Sequence, residues 1–140
     1  MKQILIDTNV VISFLTDRDP RQQETAARLF EDTAAAKHEL ILHQVVITEV
    51  IYVLQNLYKL TAAAVAATVR DLMDMPGIVI VDEMPWGRVF EIWPREISTY
   101  ADATLAAVAL SGSYDCVATF DRGFRNRLKR LGILVDLTIE

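Results

Sequence analysis

The sequence is poor in the features that would open several common functional classes. It has one cysteine, Cys116, so no intrachain disulfide can form; the thiol, inside Cys-Val-Ala-Thr, is expected to pack as a small hydrophobe in a strand of a protein from a reducing compartment. Its two histidines, His38 and His43, have no H-x-x-x-H or related spacing, which argues against a zinc site. The longest apolar stretches, such as 45–47 and 105–110, fall well short of the ~20 residues a membrane span requires. A single Lys precedes the first apolar run with no h-region, so no signal peptide is expected and the protein is placed in the cytoplasm. No repeat or low-complexity tract is present, and glycine and proline are sparse enough (5 and 4 residues) that each one is informative as a boundary.

What remains is apolar and helix-prone. At 140 residues and 52% hydrophobic content the chain suits one domain, spanning 1–140, with a core buried on both faces of a sheet. Short, wholly apolar strands alternate with helical stretches. Strands are expected at 2–6, 40–42, 78–81, 116–119 and 133–136, and helices at 9–15, 20–36, 44–58, 61–74, 84–96, 101–111 and 122–130. That order indicates an α/β fold with a mostly parallel sheet covered on both sides. Pro76-Gly77 and Gly132 mark the turns before the third and last strands.

Four acids stand out against this pattern. Asp7 and Asp121 each follow a short apolar run and open a turn, at the carboxyl ends of strands where ligands bind in open parallel sheets. Glu49 and Asp102 lie near the starts of two helices that can converge on the same end. Singly, each has a structural alternative: Asp7 and Asp121 as helix caps, Asp102 as the acidic partner of Thr99 in a Thr-x-x-Asp arrangement, Glu49 as an exposed helix acid. Together they form an oxygen-rich set of the kind that holds Mg²⁺ or Mn²⁺. Asp17, Asp19, Asp82, Glu83 and Asp115 are read as turn and loop acids.

The net charge of −5 opposes nucleic-acid binding by the protein as a whole, because phosphate contacts supply most of that affinity. Its distribution is uneven. Five cations fall within 122–130, and on a helix Arg122, Arg125 and Lys129 share a face at i, i+3 and i+7 while Arg127 points elsewhere, so those three are the candidate phosphate track. A solvated helix face is the alternative. Segments 44–58 and 61–74 carry apolar positions (Tyr52, Leu57, Tyr58, Leu60, Val65) beyond what a small sheet needs, which suggests a homodimer.

The motifs resemble those of the PIN-domain family, and within it the VapC-like toxins. Asp7-Thr8-Asn9-Val10-Val11 resembles the opening motif, Ile47-Thr48-Glu49-Val50 the helical acid, Asp102-Ala103-x-x-Ala106-Ala107 the third acid and Thr119-Phe120-Asp121-x-x-Phe124 the terminal motif. The resemblance covers essentially the whole chain. It implies a three-layer α/β/α sandwich and an Mg²⁺- or Mn²⁺-dependent ribonuclease with Asp7, Glu49, Asp102 and Asp121 as the acidic quartet, supported by Thr8, Asn9 and Thr119. RNA as substrate comes from the resemblance alone, as does a small antitoxin protein covering the acids. One departure is Gly123, where many relatives carry a further acid. A processing nuclease outside a toxin system, and a catalytically silent binding module on the same fold, are the alternatives. An aspartate-nucleophile phosphatase is disfavoured because the position two residues after Asp7 is Asn9 rather than a second Asp, and a receiver module because the adjacent acids after the first strand are missing.

Overall fold

The computed structural model describes residues 1–136. Five strands form one sheet in the order β3-β2-β1-β4-β5, namely β1 (Gln3–Ile6), β2 (Glu39–His43), β3 (Ile78–Val81), β4 (Cys116–Ala118) and β5 (Val135–Asp136). Every neighbouring pair is parallel. Between them run seven helices: α1 (Thr8–Leu15), α2 (Pro20–Ala34), α3 (Gln44–Asn56), α4 (Ala62–Met73), α5 (Trp86–Ile92), α6 (Tyr100–Ser111) and α7 (Arg122–Arg130). Successive strand side chains point to opposite faces, yet Ile4, Leu5 and Ile6, and likewise Leu40, Ile41 and Leu42, are all at most 1% exposed. Both faces are therefore covered, as expected of apolar parallel strands. Burial of such side chains contributes roughly 1.5–3 kcal/mol each before entropy is subtracted, which makes β1, β2 and β4 the firm floor of the molecule.

The expected elements are all present, with shifted ends. The expected helix over 84–96 is cut to Trp86–Ile92 because Pro94 has no N–H to continue the ladder and disfavours helical backbone at the residue before it. The expected strand over 133–136 pairs only at Val135–Asp136. At Gly77 the turn into β3 needs φ +83, and a Cβ there would meet the Thr33 carbonyl oxygen at 2.7 Å, so only glycine fits. Cys116 is buried in β4 with its thiol pushed up to about 11 by burial, an inert core position. Among the described residues no helix is long and apolar enough to cross a membrane.

The topology decides where a ligand can enter. From β1 the chain moves to β2 and β3 on one side, then crosses to β4 and β5 on the other. The strand order thus reverses between β1 and β4, and the crevice at their carboxyl ends is the position at which open α/β sheets bind ligands. Asp7 leaves β1 there and Thr119 leaves β4 beside it, following the register pair Ile6 and Ala118.

Candidate active site

Asp7 is held by its neighbours on every side. Its backbone N–H donates to the Ala118 carbonyl (3.0 Å), which ties the end of β1 to β4. Its Oδ1 accepts from the Thr8 N–H (2.7 Å), and its Oδ2 accepts from the Thr119 hydroxyl (2.7 Å) and the Asn9 amide (3.0 Å). Asn9 also accepts from the Phe120 N–H (3.0 Å) and donates to the Thr119 hydroxyl (3.1 Å), which in turn accepts from the Asp121 N–H. The two strand ends are thereby joined through one asparagine. Asn9→Ala is expected to lower stability to chemical denaturation by about 1–3 kcal/mol, since it leaves the Phe120 N–H without its acceptor and removes one of the three hydrogen bonds to the buried Asp7 carboxylate.

The other acids arrive from separate elements. Glu49 sits on α3, which His43 starts by accepting from the Val45 N–H through Nδ1 while Nε2 donates to the Glu83 carbonyl, so this histidine is structural. Glu49 Oε1 accepts from the Thr8 hydroxyl (2.7 Å), and among the described residues Oε2 has no hydrogen bond. Asp102 lies in the first turn of α6, a helix buried continuously from Ala103 to Val108 whose small side chains let it approach α3. Asp121 caps α7 by accepting from the Phe124 N–H through Oδ1 (3.0 Å), and among the described residues Oδ2 is unbonded. Asp7 and Asp121 therefore are helix caps and pocket acids at once.

All four carboxylates line one pocket of about 360 Å³, together with Thr8, Asn9, Arg18, Val53, Leu57 and Tyr58. Burial, with smaller like-charge contributions from Asp102 and Glu49, pushes the Asp7 carboxyl up to about 7 against the opposing hydrogen bonds of Thr119 and Thr8. Burial likewise raises Asp102, opposed by the Thr99 hydroxyl and raised further by Glu49 and Asp121, with Arg127 lowering it. An all-oxygen donor set of this kind suits a hard divalent cation. Among the described residues no three His, Cys, Asp or Glu side chains are drawn together tightly enough to enclose an ion. The donor chemistry fits the group; the coordination shell itself is not formed by these rotamers.

The cationic segment departs from the expectation. Arg125 is buried with Phe124 and Leu128 on the inner face of α7, so it cannot join Arg122 and Lys129 in a solvent-facing track; among the described residues its Nε has no hydrogen-bond partner. Arg122 and Lys129 are exposed. Arg127 instead lies by the acids: a Cβ on Gly123 would stand 3.0 Å from its Nη1 and 3.3 Å from Asp121 Oδ1. The signal for this was available, since Phe124 and Leu128, four apart, centre the buried face and place Arg125 on its flank. Val65, expected at a dimer surface, is a core residue, whereas Tyr52, Leu57, Tyr58 and Leu60 are exposed. Asp19 caps α2, and Asp115 accepts from the Gln3 N–H (2.7 Å), both structural as expected.

A three-layer parallel α/β fold with a quartet of acids at its switch point defines a recognisable class. The sequence model for the PIN domain matches residues 4–128, and the chain belongs to the PIN domain family, a family of nucleases. No curated protein sequence matches the chain significantly. Among solved structures, VapC20 of Mycobacterium tuberculosis, a sarcin-ricin loop cleaving toxin, is similar at 18% identity over 94% of this chain and 96% of that one, with a TM-score of 0.67. VapBC2 of Rickettsia felis, bound to a DNA fragment from its promoter, is similar at 11% identity over 99% of both chains (TM-score 0.67). The PIN domain endonuclease Utp24 is similar at 20% identity over 99% and 85% (TM-score 0.57). At these identities the likeness is one of fold.

Proposed function

We propose that this protein is a divalent-metal-dependent endoribonuclease that hydrolyses RNA phosphodiester bonds, and that it is the toxin of a toxin–antitoxin pair. The observation that supports the nuclease reading most strongly is that four carboxylates from four separate chain segments line one pocket at the switch point of the sheet. The toxin reading rests on the VapC20 and VapBC2 likenesses together with the motif resemblance.

Asp7, Asp102, Glu49 and Asp121 are the residues that would hold Mg²⁺ or Mn²⁺, which when bound supplies an acidified water and Lewis acidity toward a phosphoryl oxygen. The chain's own contribution is positioning. Thr119, Asn9 and the Thr8 N–H fix the Asp7 carboxylate, and the Thr8 hydroxyl fixes Glu49. This is the outer layer of hydrogen bonds that orients ligands and typically accounts for 10–100-fold in affinity or activity. The exposed Arg122 and Lys129 would hold flanking phosphates. The rim formed by Leu57 and Tyr58 borders the acids and would be the place for a small antitoxin protein or a second copy of the chain to cover them.

The test is cleavage of RNA and of single-stranded DNA of the same sequence, with Mg²⁺, with Mn²⁺ and with a chelator. The proposal requires RNA cleavage that disappears with the chelator and returns when the ion is restored. Cleavage indifferent to chelation would contradict it.

A further inference from the structure

The acidic pocket contains one cation that no sequence motif announces. Arg18 lies in the loop between α1 and α2 and lines the pocket with the four acids. An exposed arginine ordinarily samples many rotamers, yet this one is tethered at three points. Its Nε and Nη2 donate to the Ser13 hydroxyl oxygen (3.3 and 3.1 Å), and Nη2 donates also to the Asn9 carbonyl (3.1 Å). Ser13 is fully buried, and its own hydroxyl donates to Gln22 Oε1 (2.9 Å), so its lone pairs are directed to the guanidinium.

Three further facts give this tether a purpose. Arg18 forms no ion pair with any carboxylate within 4.0 Å among the described residues, although four acids line the same pocket. Its Nη1 makes none of the three bonds. The residue that holds it, Asn9, is the same one that holds Asp7 and Thr119, so guanidinium and carboxylate are fixed relative to each other through one side chain and its backbone.

We infer that Arg18 is a substrate-binding residue of this site, donating charge-assisted hydrogen bonds to the non-bridging oxygens of a nucleic-acid phosphate at the pocket. With its Nε–H and both Nη2 protons engaged, the guanidinium is held in place and presents the two N–H groups of Nη1, which are free to donate to phosphate oxygens. The need is evident from the charge: a polyanion entering a pocket of four carboxylates, on a chain of net charge −5, meets repulsion that one pre-placed cation relieves locally. The inference rests on the nuclease reading above.

The test compares wild type with Arg18→Ala, Arg18→Lys and, as a control for general charge, Arg21→Ala, the exposed neighbouring arginine on α2. Binding of a short fluorescent single-stranded RNA to the chelator-treated protein is measured at several salt concentrations, and the Mg²⁺-induced rise in melting temperature is measured separately. Arg18→Ala is expected to weaken RNA binding by about 10- to 100-fold and to flatten log affinity against log salt by roughly 0.7, the loss of one phosphate contact. Arg18→Lys restores the salt slope but only part of the affinity, and Arg21→Ala changes neither. All three variants keep the Mg²⁺ effect. Wild-type affinity and slope in Arg18→Ala would overturn the inference while leaving the metal site standing, as would a lowered melting temperature with an unchanged slope, the mark of a purely structural tether. Absence of both RNA binding and the Mg²⁺ effect in wild type would overturn the nuclease reading, and this inference with it.

Discussion

Asp7→Asn and Asp102→Asn are each expected to lower the rate of metal-dependent RNA cleavage by at least about 100-fold while the far-ultraviolet circular dichroism stays native. Both substitutions keep side-chain volume and remove a ligand charge, and loss of a direct ligand exceeds the 10–100-fold typical of its outer supports. Asp7 is the more sensitive of the two because three hydrogen bonds converge on it from both strand ends. Asp121→Asn is expected to be milder, since Asp121 is exposed, one of its oxygens is already engaged in capping α7, and Gly123 beside it supplies no further carboxylate. Cleavage at wild-type rates in both Asp7→Asn and Asp102→Asn, with the fold intact, would remove the metal site from this pocket.

The second large effect concerns stability without metal. Burial raises the Asp7 carboxyl from its ordinary range to about 7, so between about pH 4 and pH 7 the folded protein holds a proton there that the unfolded chain releases. The folded state binds more protons across that window, and stability therefore falls as pH rises through it. A rise of this size corresponds to about 4 kcal/mol once Asp7 is fully ionised, a decline in melting temperature on the order of 10 °C. Asp102, raised in the same direction, adds to the trend. Asp7→Asn cannot ionise and should flatten the profile over that window, measured by thermal melts of the chelator-treated protein from pH 4 to pH 8. A wild-type profile as flat as that of the variant would mean that the Asp7 carboxylate is better solvated than its 5% exposure implies.

These effects depend on residues whose legibility in the sequence differs for physical reasons. The strands were legible because parallel strands buried on both faces are continuous apolar runs, and Ile4–Ile6 and Leu40–Leu42 are such runs. The acids were legible because each sits where a strand ends or a helix begins. Their capping roles are legible for the same reason. For Asp7 and Asp121 the two roles coexist, since a carboxylate has about four lone-pair sites and a helix cap uses only one of them. Arg18 was illegible because its position depends on the α1–α2 loop folding back onto Ser13 and Asn9, contacts that no local pattern encodes. Cation spacing alone puts Arg125 on the wrong face of α7. The apolar pair Phe124 and Leu128 determines which side of α7 is buried, and Arg125 goes with it. The homodimer expectation was altered in a similar way at Val65, which the core claims, leaving Tyr52, Leu57, Tyr58 and Leu60 at the surface.

The acids gathered at the carboxyl ends of β1 and β4 are expected to bind a divalent cation together. The most direct measurement is the melting temperature at pH 8 during titration with Mg²⁺ or Mn²⁺, for wild type and Asp7→Asn side by side. A cation that binds only the native state at a hundredfold excess over its dissociation constant stabilises it by about 2.7 kcal/mol, so wild type should rise by roughly 10 °C at saturation. Asp7→Asn should show little of that rise. An equal rise in both proteins would place the cation elsewhere, and no rise in either would contradict the account at its centre.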